Sequence, residues 1–377
     1  MKNILVAVNS FKETADAVEV AGLFNQYLDK SIFNVIQKPI SDGGDGFLNV
    51  CNFYFDLELI TYPISAPYDE TLIDCVVGLD RNNKTMFVES AEAIGLKKIP
   101  HNKRHPLELN SKGLGDLLQL IIQDIEDYKY EVDKMIIGIG GTGIMDVGLG
   151  MCSRFGLKLS DSYGSELEVF PENFINVNEI EFSKIDYPFS VETILDVDNL
   201  LLGKNGASIY GKQKGASVTD IKIIEKGWNN IINLLHNNML IDTTKELSGA
   251  GGGLNVGLKL LFDVNEKKAI NFISKDLKIN TNDKDIDMII TGEGSFDKQS
   301  LMGKGAGSII SLFDHENIPV VLCCGKIDRV ISENLSMNVF PIELQTYIDD
   351  PINNFEEAIK IACDEISGMT DILTKIS

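Results

Sequence analysis

The stretch DMIITGEGSFDKQSLMGKG (residues 287–305) decides the fold class. It opens with a continuous apolar run that ends directly in glycine. Hydrophobicity that is continuous rather than alternating is typical of a parallel strand covered by helices on both faces. Three other runs repeat the pattern, namely ILVAVNS (4–10), KMIIGIGG (134–141) and PVVLCCG (319–325). Together the four runs predict an α/β protein with a parallel sheet.

Amphipathic stretches separate these runs and predict helices. They are TADAVEVAGLFNQYLDK (14–30), GLGDLLQLIIQDIEDY (113–128) and NNFEEAIKIACDEISG (353–368). Thr14 is the expected N-cap of the first helix. Residues 57–90 instead contain alternating runs around an RNNK turn, which is typical of antiparallel strands.

These patterns predict two domains, a parallel Rossmann-like sheet domain and an α+β domain inserted into it. The first is predicted to comprise residues 1–55, 110–155 and 284–377, and the second residues 56–109 and 156–283. In a parallel sheet, ligands bind outside the carboxyl ends of the strands. The glycine loops of this chain are expected at those ends.

Composition narrows the class of partner. The 377 residues carry a formal charge of −22, from 34 Lys+Arg against 56 Asp+Glu. This field repels nucleic acid and anionic membranes, although main-chain N–H groups, lysines and a divalent cation can still attract a small anion into a cleft. We find no apolar run of 18 residues and no signal-peptide core, so neither a membrane span nor secretion is expected. Six cysteines without C-x-x-C spacing predict reduced thiols and a cytoplasmic protein.

Individual glycine loops allow several interpretations. GIGGTG (138–143) fits the dinucleotide fingerprint, but no clear strand-end acid follows about 20 residues later. A Walker P-loop is excluded because Gly303 and Lys304 are followed by glycine. SDGGDG (41–46) supplies two aspartates that could orient a substrate hydroxyl or hold Mg²⁺, or that could simply bond their own turn.

The remaining chemistry favours phosphoryl transfer. The four histidines lie outside every glycine motif, and no G-x-S-x-G motif is present. Carboxylates, lysines and main-chain amides are left, and these groups suit phosphoryl transfer with Mg²⁺.

Six motifs, taken in order, closely resemble the type-1 glycerate kinase family. They are VNSFK (8–12), SDGGDGF (41–47), GIGGTGIMDVGLGM (138–151), DVDNLLLGKNGASIYGKQKGAS (196–217), GAGGGL (249–254) and TGEGSFDKQSLMGKG (291–305). The resemblance covers nearly the whole chain and implies ATP-dependent phosphorylation of glycerate in the cleft between two α/β domains. It also implies Mg²⁺, and resemblance to bacterial members favours 2-phosphoglycerate over 3-phosphoglycerate as the product. A homo-oligomer stays an open alternative.

The resemblance also gives a set of candidate site residues. The catalytic candidates are Lys12, Asp42, Asp198 and Lys304, and the metal-binding candidates are Glu293 and Asp297. The candidates for binding substrate or nucleotide are Ser10, Gly43, Gly44, Gly140, Gly141, Asn199, Gln213, Lys214, Gly251, Gly252, Gly292 and Gly294. In these roles a carboxylate accepts the hydroxyl proton, lysines neutralise the transferring phosphate, and Lys214 or residues 249–254 meet the substrate carboxylate.

The chain departs from the family pattern at three places. Glu13 and Leu200 replace a usual glycine and proline, and GIMDVG (143–148) replaces Ala-Thr-Asn-Asp-Gly-Gly. Loss of the Thr-Asn pair removes hydrogen-bonding groups from that loop. Two alternatives follow, a kinase of this fold that acts on another small hydroxy acid and a non-catalytic nucleotide or metabolite sensor. An NAD-dependent oxidoreductase, which GIGGTG alone suggests, is a more distant alternative.

Overall fold

The chain divides into two compact units. The computed structural model describes residues 1–12, 14–195, 199–203, 206–242, 246–280, 285–301, 304–316 and 318–369. The first unit comprises Met1–Asp42, Asn49–Tyr54 and Lys268–Ser377, and the second comprises Gly43–Leu48 and Phe55–Lys267.

The elements of the described residues follow in chain order. The strands are β1 (Lys2–Val6), β2 (Phe33–Gln37), β3 (Glu58–Ser65), β4 (Leu72–Asp80), β5 (Thr85–Glu89), β6 (Lys134–Ile139), β7 (Lys158–Ser160), β8 (Glu166–Leu167), β9 (Glu179–Glu181), β10 (Ser190–Leu195), β11 (Val264–Lys268), β12 (Met288–Thr291), β13 (Ser295–Phe296), β14 (Val320–Cys324), β15 (Lys326–Ile327) and β16 (Val339–Glu343). The helices are α1 (Ala17–Tyr27), α2 (Phe47–Phe55), α3 (Ser90–Ile94), α4 (Lys112–Glu126), α5 (Leu149–Ser153), α6 (Val218–Asn237), α7 (Ala250–Leu261), α8 (Ala269–Asn271), α9 (Lys298–Leu301), α10 (Ala306–Phe313), α11 (Arg329–Ser332) and α12 (Phe355–Gly368).

The first unit is built on a parallel sheet with the strand order β16-β14-β12-β1-β2. The chain runs from β1 to β2 on one side and from β12 to β14 on the other, so the strand order reverses between β1 and β12. In doubly wound sheets, ligands bind at this reversal, outside the carboxyl ends of the strands. The predicted parallel α/β fold is confirmed.

Helices α1 and α12 lie against one another in the first unit. The buried face of α1 carries Val20, Ala21 and Phe24, as its periodicity predicts. The predicted cap is wrong by two residues, because Asp16 rather than Thr14 accepts hydrogen bonds from the first N–H groups of the helix. An aspartate fills this position at least as well as a threonine.

The second unit contains a mixed sheet with the order β11-β10-β6-β5-β4-β3. Strands β10, β6 and β5 are parallel, whereas β5, β4 and β3 pair antiparallel. The antiparallel strands predicted for residues 57–90 are thereby confirmed. A small antiparallel sheet has the order β8-β7-β9.

The units differ from the predicted domains most clearly at residues 110–155. These residues were expected beside the first sheet, but their strand β6 lies between β10 and β5 of the second. A buried apolar run fits any central strand that has parallel neighbours. Hydrophobicity alone therefore does not determine which of the two sheets the strand joins.

Residues that depart from the family pattern pack the core of the second unit. The side chains of Ile144, Met145 and Val147 are fully buried. Met145 also accepts a hydrogen bond through its main-chain oxygen from the indole nitrogen of Trp228, at 2.8 Å. The loop therefore contributes packing where polar groups were expected.

Asp146 organises the loop by accepting four hydrogen bonds. They come from the N–H and Oγ of Ser111, both at 2.7 Å, and from the N–H groups of Gly148 at 3.1 Å and Gly150 at 3.0 Å. Burial raises the pKa of Asp146, and these donors oppose that effect. A buried carboxylate of this kind stabilises the loop only while its donors stay paired.

We expect Asp146→Ala to lower the free energy of unfolding by about 3 kcal/mol, because it leaves several buried donors without an acceptor. Trp228 is the single tryptophan and reports on this region, so urea unfolding followed by its fluorescence measures the loss. Asp161→Ala is the matched control. Asp161 also accepts two main-chain N–H groups, but near the surface, so the expected loss is below about 1 kcal/mol. Equal losses in the two variants would contradict the structural role of Asp146.

Candidate active site

Buried polar side chains follow three neighbouring strands of the first unit. Asn9 follows β1, Asp42 follows β2 and Glu293 follows β12, and their side chains are 6%, 5% and 7% exposed. They therefore lie at the reversal of strand order. Polar groups withdrawn from water at such a position are expected to serve a ligand.

Hydrogen bonds fix Asn9 against its neighbours. Its main-chain N–H donates to Gly292 at 2.9 Å, and its Oδ1 accepts the N–H of Ser10 at 2.8 Å. Because an N–H can donate only to the amide oxygen, Nδ2 must face the other way, and it lies 3.3 Å from Oδ2 of Asp42. Asn9 thus presents a donor to the carboxylate of Asp42.

Glu293 is a buried acid. Its Oε1 is buried and has no hydrogen-bond partner among the described residues. Burial raises the pKa of Glu293 to about 8, with Asp42 and Asp297 adding to the rise and Ser300 and Lys304 opposing it. Such a group holds a proton near neutral pH or binds a cation.

A glycine turn closes over these acids. Gly305 has a φ of +51°, and a Cβ at this position would lie 2.8 Å from Nδ2 of Asn9 and collide with Oε2 of Glu293. The helix α10 begins directly after Gly305, and Lys304, which is half-buried, directly precedes it. Only glycine lets the main chain come this close to the two side chains.

The structure places eight of the candidates in the first unit. Lys12 and Asp297 are exposed there, whereas Asp42 and Glu293 are buried. The set is Ser10, Lys12, Asp42, Gly292, Glu293, Gly294, Asp297 and Lys304.

Nine further candidates lie in the second unit. They are Gly43, Gly44, Gly140, Gly141, Asn199, Gln213, Lys214, Gly251 and Gly252. Asn199 accepts a hydrogen bond from the hydroxyl of Tyr210 at 2.6 Å, and Gln213 is exposed. Asp198 lies outside the described residues.

Lys214 is buried and bonds to the protein itself. Its Nζ donates to Oγ1 of Thr142 at 3.2 Å and to the main-chain oxygen of Ile144 at 2.9 Å. Gly252 has a φ of +74°, and a Cβ there would lie 3.2 Å from the same Nζ. Lys214 therefore binds the 142–144 loop and lies close to the glycine kink at residues 251–253 of α7.

Close main-chain approach explains other glycines of the second unit. A Cβ at Gly43 would lie 2.6 Å from the main-chain oxygen of Ile194, and one at Gly141 would lie 3.1 Å from Oδ1 of Asp45. Both glycines also have positive φ angles, of +93° and +66°. Packing thus accounts for their residue type before any ligand is considered.

Sequence analysis missed three residues of these sites, which are Asn9, Gly305 and Glu89. Asn9 and Gly305 lie inside quoted motifs, but their partners are distant in the chain. Glu89 ends the fully buried strand β5, and an acid at that place was a signal that could have been followed.

The described residues contain neither a ready cluster of metal-ligating side chains nor a helix that could span a membrane. Among the described residues, no three His, Cys, Asp or Glu side chains are grouped so as to hold a metal ion. None of the helices in that part of the chain is both long and apolar enough to cross a bilayer. The six cysteines are all buried thiols, as predicted.

Comparison with known proteins gives concordant results. The model of the glycerate kinase family matches residues 4–372. A glycerate kinase from Haemophilus influenzae is 31% identical over 354 residues, which cover 90% of this chain and 90% of the relative. A glycerate 2-kinase from Escherichia coli (strain K12) is 30% identical over 336 residues, which cover 86% and 85%.

A solved structure agrees in fold. The crystal structure of a protein described as glycerate kinase 2 from Salmonella typhimurium LT2 superposes with a TM-score of 0.74, covers 100% of both chains and is 24% identical. The match of the family model over nearly the whole length carries the assignment, and the two relatives agree with it. This chain belongs to the glycerate kinase family, and the protein is an enzyme of that family.

Proposed function

We propose that this protein transfers the γ-phosphoryl group of ATP to a hydroxyl of D-glycerate and releases phosphoglycerate and ADP. The observation that carries the proposal is the group of buried acids and Asn9 at the strand reversal of the first unit, with Lys304 beside them. Membership of the family and the printed names of the two relatives support it.

In the proposed reaction, Asp42 accepts the proton of the attacking glycerate hydroxyl. The O–H bond breaks, a new O–P bond forms, and the bond from the γ-phosphorus to the bridging oxygen breaks as ADP leaves. A base must point at one hydroxyl, and Asn9 restricts the orientation of Asp42. Lys12 and Lys304 are proposed to neutralise charge on the transferring phosphoryl group.

Mg²⁺ fits the donor set around Glu293. Carboxylate oxygens are the ligands it prefers, and the buried Oε1 of Glu293 has no hydrogen-bond partner in the part of the chain that the structure describes. Glu293 and Asp297 would hold the ion, directly or through water. When bound, it would neutralise phosphate oxygens of ATP. The arrangement of the acids supports this site, together with the burial of an Oε1 that has no partner among the described residues.

The product is proposed to be 2-phosphoglycerate, since the Escherichia coli relative is named glycerate 2-kinase. The alternative of another hydroxy acid as the substrate rests on Ile144 and Met145, which replace the usual Thr-Asn pair. Both side chains are buried in the core of the second unit, so this departure gives no reason to prefer a different substrate.

Purified protein with ATP, Mg²⁺ and D-glycerate should release ADP only when glycerate is present. Phosphorus NMR of the product should show coupling to the single proton on C2, as 2-phosphoglycerate requires. Coupling to two protons would identify 3-phosphoglycerate and overturn the assignment of the hydroxyl. A folded protein that binds ATP without glycerate-dependent turnover would overturn the kinase proposal and favour a sensor.

Asp42→Asn should lower kcat by about 100-fold or more, because the amide cannot accept the hydroxyl proton. The assay is ADP release at saturating substrates, with circular dichroism as the check on folding. Asp29→Asn is a suitable control, since Asp29 is an exposed aspartate of the same unit whose carboxylate accepts hydrogen bonds from the N–H and the hydroxyl of Ser31. Near-normal turnover of Asp42→Asn would leave Asp198 as the candidate base.

Glu293→Gln should stabilise the metal-free protein at alkaline pH. Folding raises the pKa of Glu293 from 4.5 to about 8, so the folded state takes up a proton between these values and loses stability as the pH rises through them. The Tm of the variant relative to the wild type should therefore increase from about pH 5 to about pH 8.5. Mg²⁺ should reverse the difference by stabilising only the wild type.

Glu333→Gln is the control for that measurement, because Glu333 lies exposed beside Arg329 in the same unit. Its Tm difference from the wild type should not change over the same pH range. An equal pH dependence of Glu293→Gln and Glu333→Gln would show that Glu293 ionises freely. Equal stabilisation of wild type and Glu293→Gln by Mg²⁺ would remove Glu293 as a ligand.

A further inference from the structure

Glu89 is a buried acid that does not belong to the groups proposed to carry the reaction. It is the last residue of β5 and is 5% exposed. Its Oε1 accepts the N–H of Gly46 at 3.0 Å, and its Oε2 accepts the N–H of Leu48 at 2.9 Å. Both oxygens are thus bound to one short stretch of main chain.

That stretch is the glycine turn 43–46 and the start of α2. The N–H of Phe47 donates to the main-chain oxygen of Gly44 at 3.1 Å, between the two groups that Glu89 binds. The N–H groups of Phe47 and Leu48 belong to the first turn of α2, where a helix leaves N–H groups without internal partners. Oxygens of Gly44 and Glu89 accept these two groups.

The turn itself is tightly constrained. Gly43 lies against the main-chain oxygen of Ile194, and a Cβ at Gly138 would lie 2.7 Å from the main-chain oxygen of Gly43. Gly46 has a φ of +86°. Such a turn has little room to shift, and the two bonds from Glu89 fix where it leads into the helix.

We propose that Glu89 is a positioning residue for the phosphoryl transfer, because its two hydrogen bonds fix the glycine turn that directly follows the candidate base Asp42. The inference rests on the proposed function of Asp42. In the proposed reaction Glu89 does not touch the reacting atoms. It acts through the main chain of Gly46 and Leu48, and misplacement of a catalytic group by a fraction of an ångström costs rate rather than folding.

The charge of Glu89 links this arrangement to pH. Burial raises its pKa to about 7, opposed by the two N–H groups and assisted by Glu92 and Asp45. Lys97 lies 3.7 Å from Asp45, and Lys98 lies 3.0 Å from Glu92, so each of these neighbouring acids has its own cation. An ionised Glu89 accepts both N–H groups more strongly than a neutral one.

Glu89→Gln is the decisive variant, because it keeps the shape of the side chain and replaces one acceptor oxygen with a donor. We expect kcat to fall about tenfold or more, while KM for ATP changes much less. Glu92→Gln is the matched control, because Glu92 lies beside Glu89 and pairs with Lys98 without bonding the turn. It should retain wild-type kcat.

Hydrogen exchange supplies a readout that needs no substrate. The amides of Gly46 and Leu48 should exchange faster in Glu89→Gln. In the wild type they should be better protected at about pH 8 than at about pH 6, after correction for the intrinsic rate. Glu89→Asp keeps the charge on a shorter arm, so an intermediate kcat is expected, and this variant replaces Glu89→Gln if the latter does not fold.

Wild-type kcat together with unchanged exchange in Glu89→Gln would overturn the inference. Faster exchange with wild-type kcat would also overturn it, because Glu89 would then be only a helix cap. If the proposed function itself were wrong, the wild-type protein would show no glycerate-dependent ADP release. That result distinguishes failure of the proposed function from failure of the inference about Glu89.

Discussion

The parallel pairing of β1 with β12 is the interaction on which the candidate active site depends. Oγ1 of Thr291 donates to the main-chain oxygen of Ala7 at 2.7 Å across 284 residues of chain. This pairing brings Asn9, whose amide contacts Asp42, beside Gly292, which directly precedes Glu293. Without it, Asp42 and Glu293 would be unrelated carboxylates in separate glycine loops.

The buried carboxylates of this protein differ in how many hydrogen bonds their oxygens accept. Asp146 accepts four hydrogen bonds and Glu89 accepts two, one on each oxygen, so both serve the protein's own main chain. One buried oxygen of Glu293 has no hydrogen-bond partner among the residues that the structure describes. An unsatisfied buried acid is costly, and a cation is the ligand that offsets the cost most directly. This difference is the reason why we propose a positioning role for Glu89 and cation binding for Glu293.

The motifs require glycine for two different structural reasons. Gly43 and Gly141 are required by close packing within the second unit, whereas Gly305 lets the main chain approach two polar side chains of the proposed site. Lys214 gives a parallel case among the charged residues. It matches a substrate-binding lysine of the motif, yet its ammonium group donates hydrogen bonds to Thr142 and to the main-chain oxygen of Ile144 in the second unit. Motif membership therefore identifies a region, and local contacts identify what each residue does.

The sequence by itself determined the α/β class, the helices α1, α4 and α12, the antiparallel strands of residues 57–90 and the family, because periodicity and ordered motifs are local properties of the chain. Tertiary structure alone decided which sheet β6 joins, since a buried apolar run fits either one. It also decided that Asn9 contacts Asp42 and that Glu89 binds the N–H groups of Gly46 and Leu48. Their partners are distant residues or main-chain N–H groups, which a motif or a buried strand end does not specify.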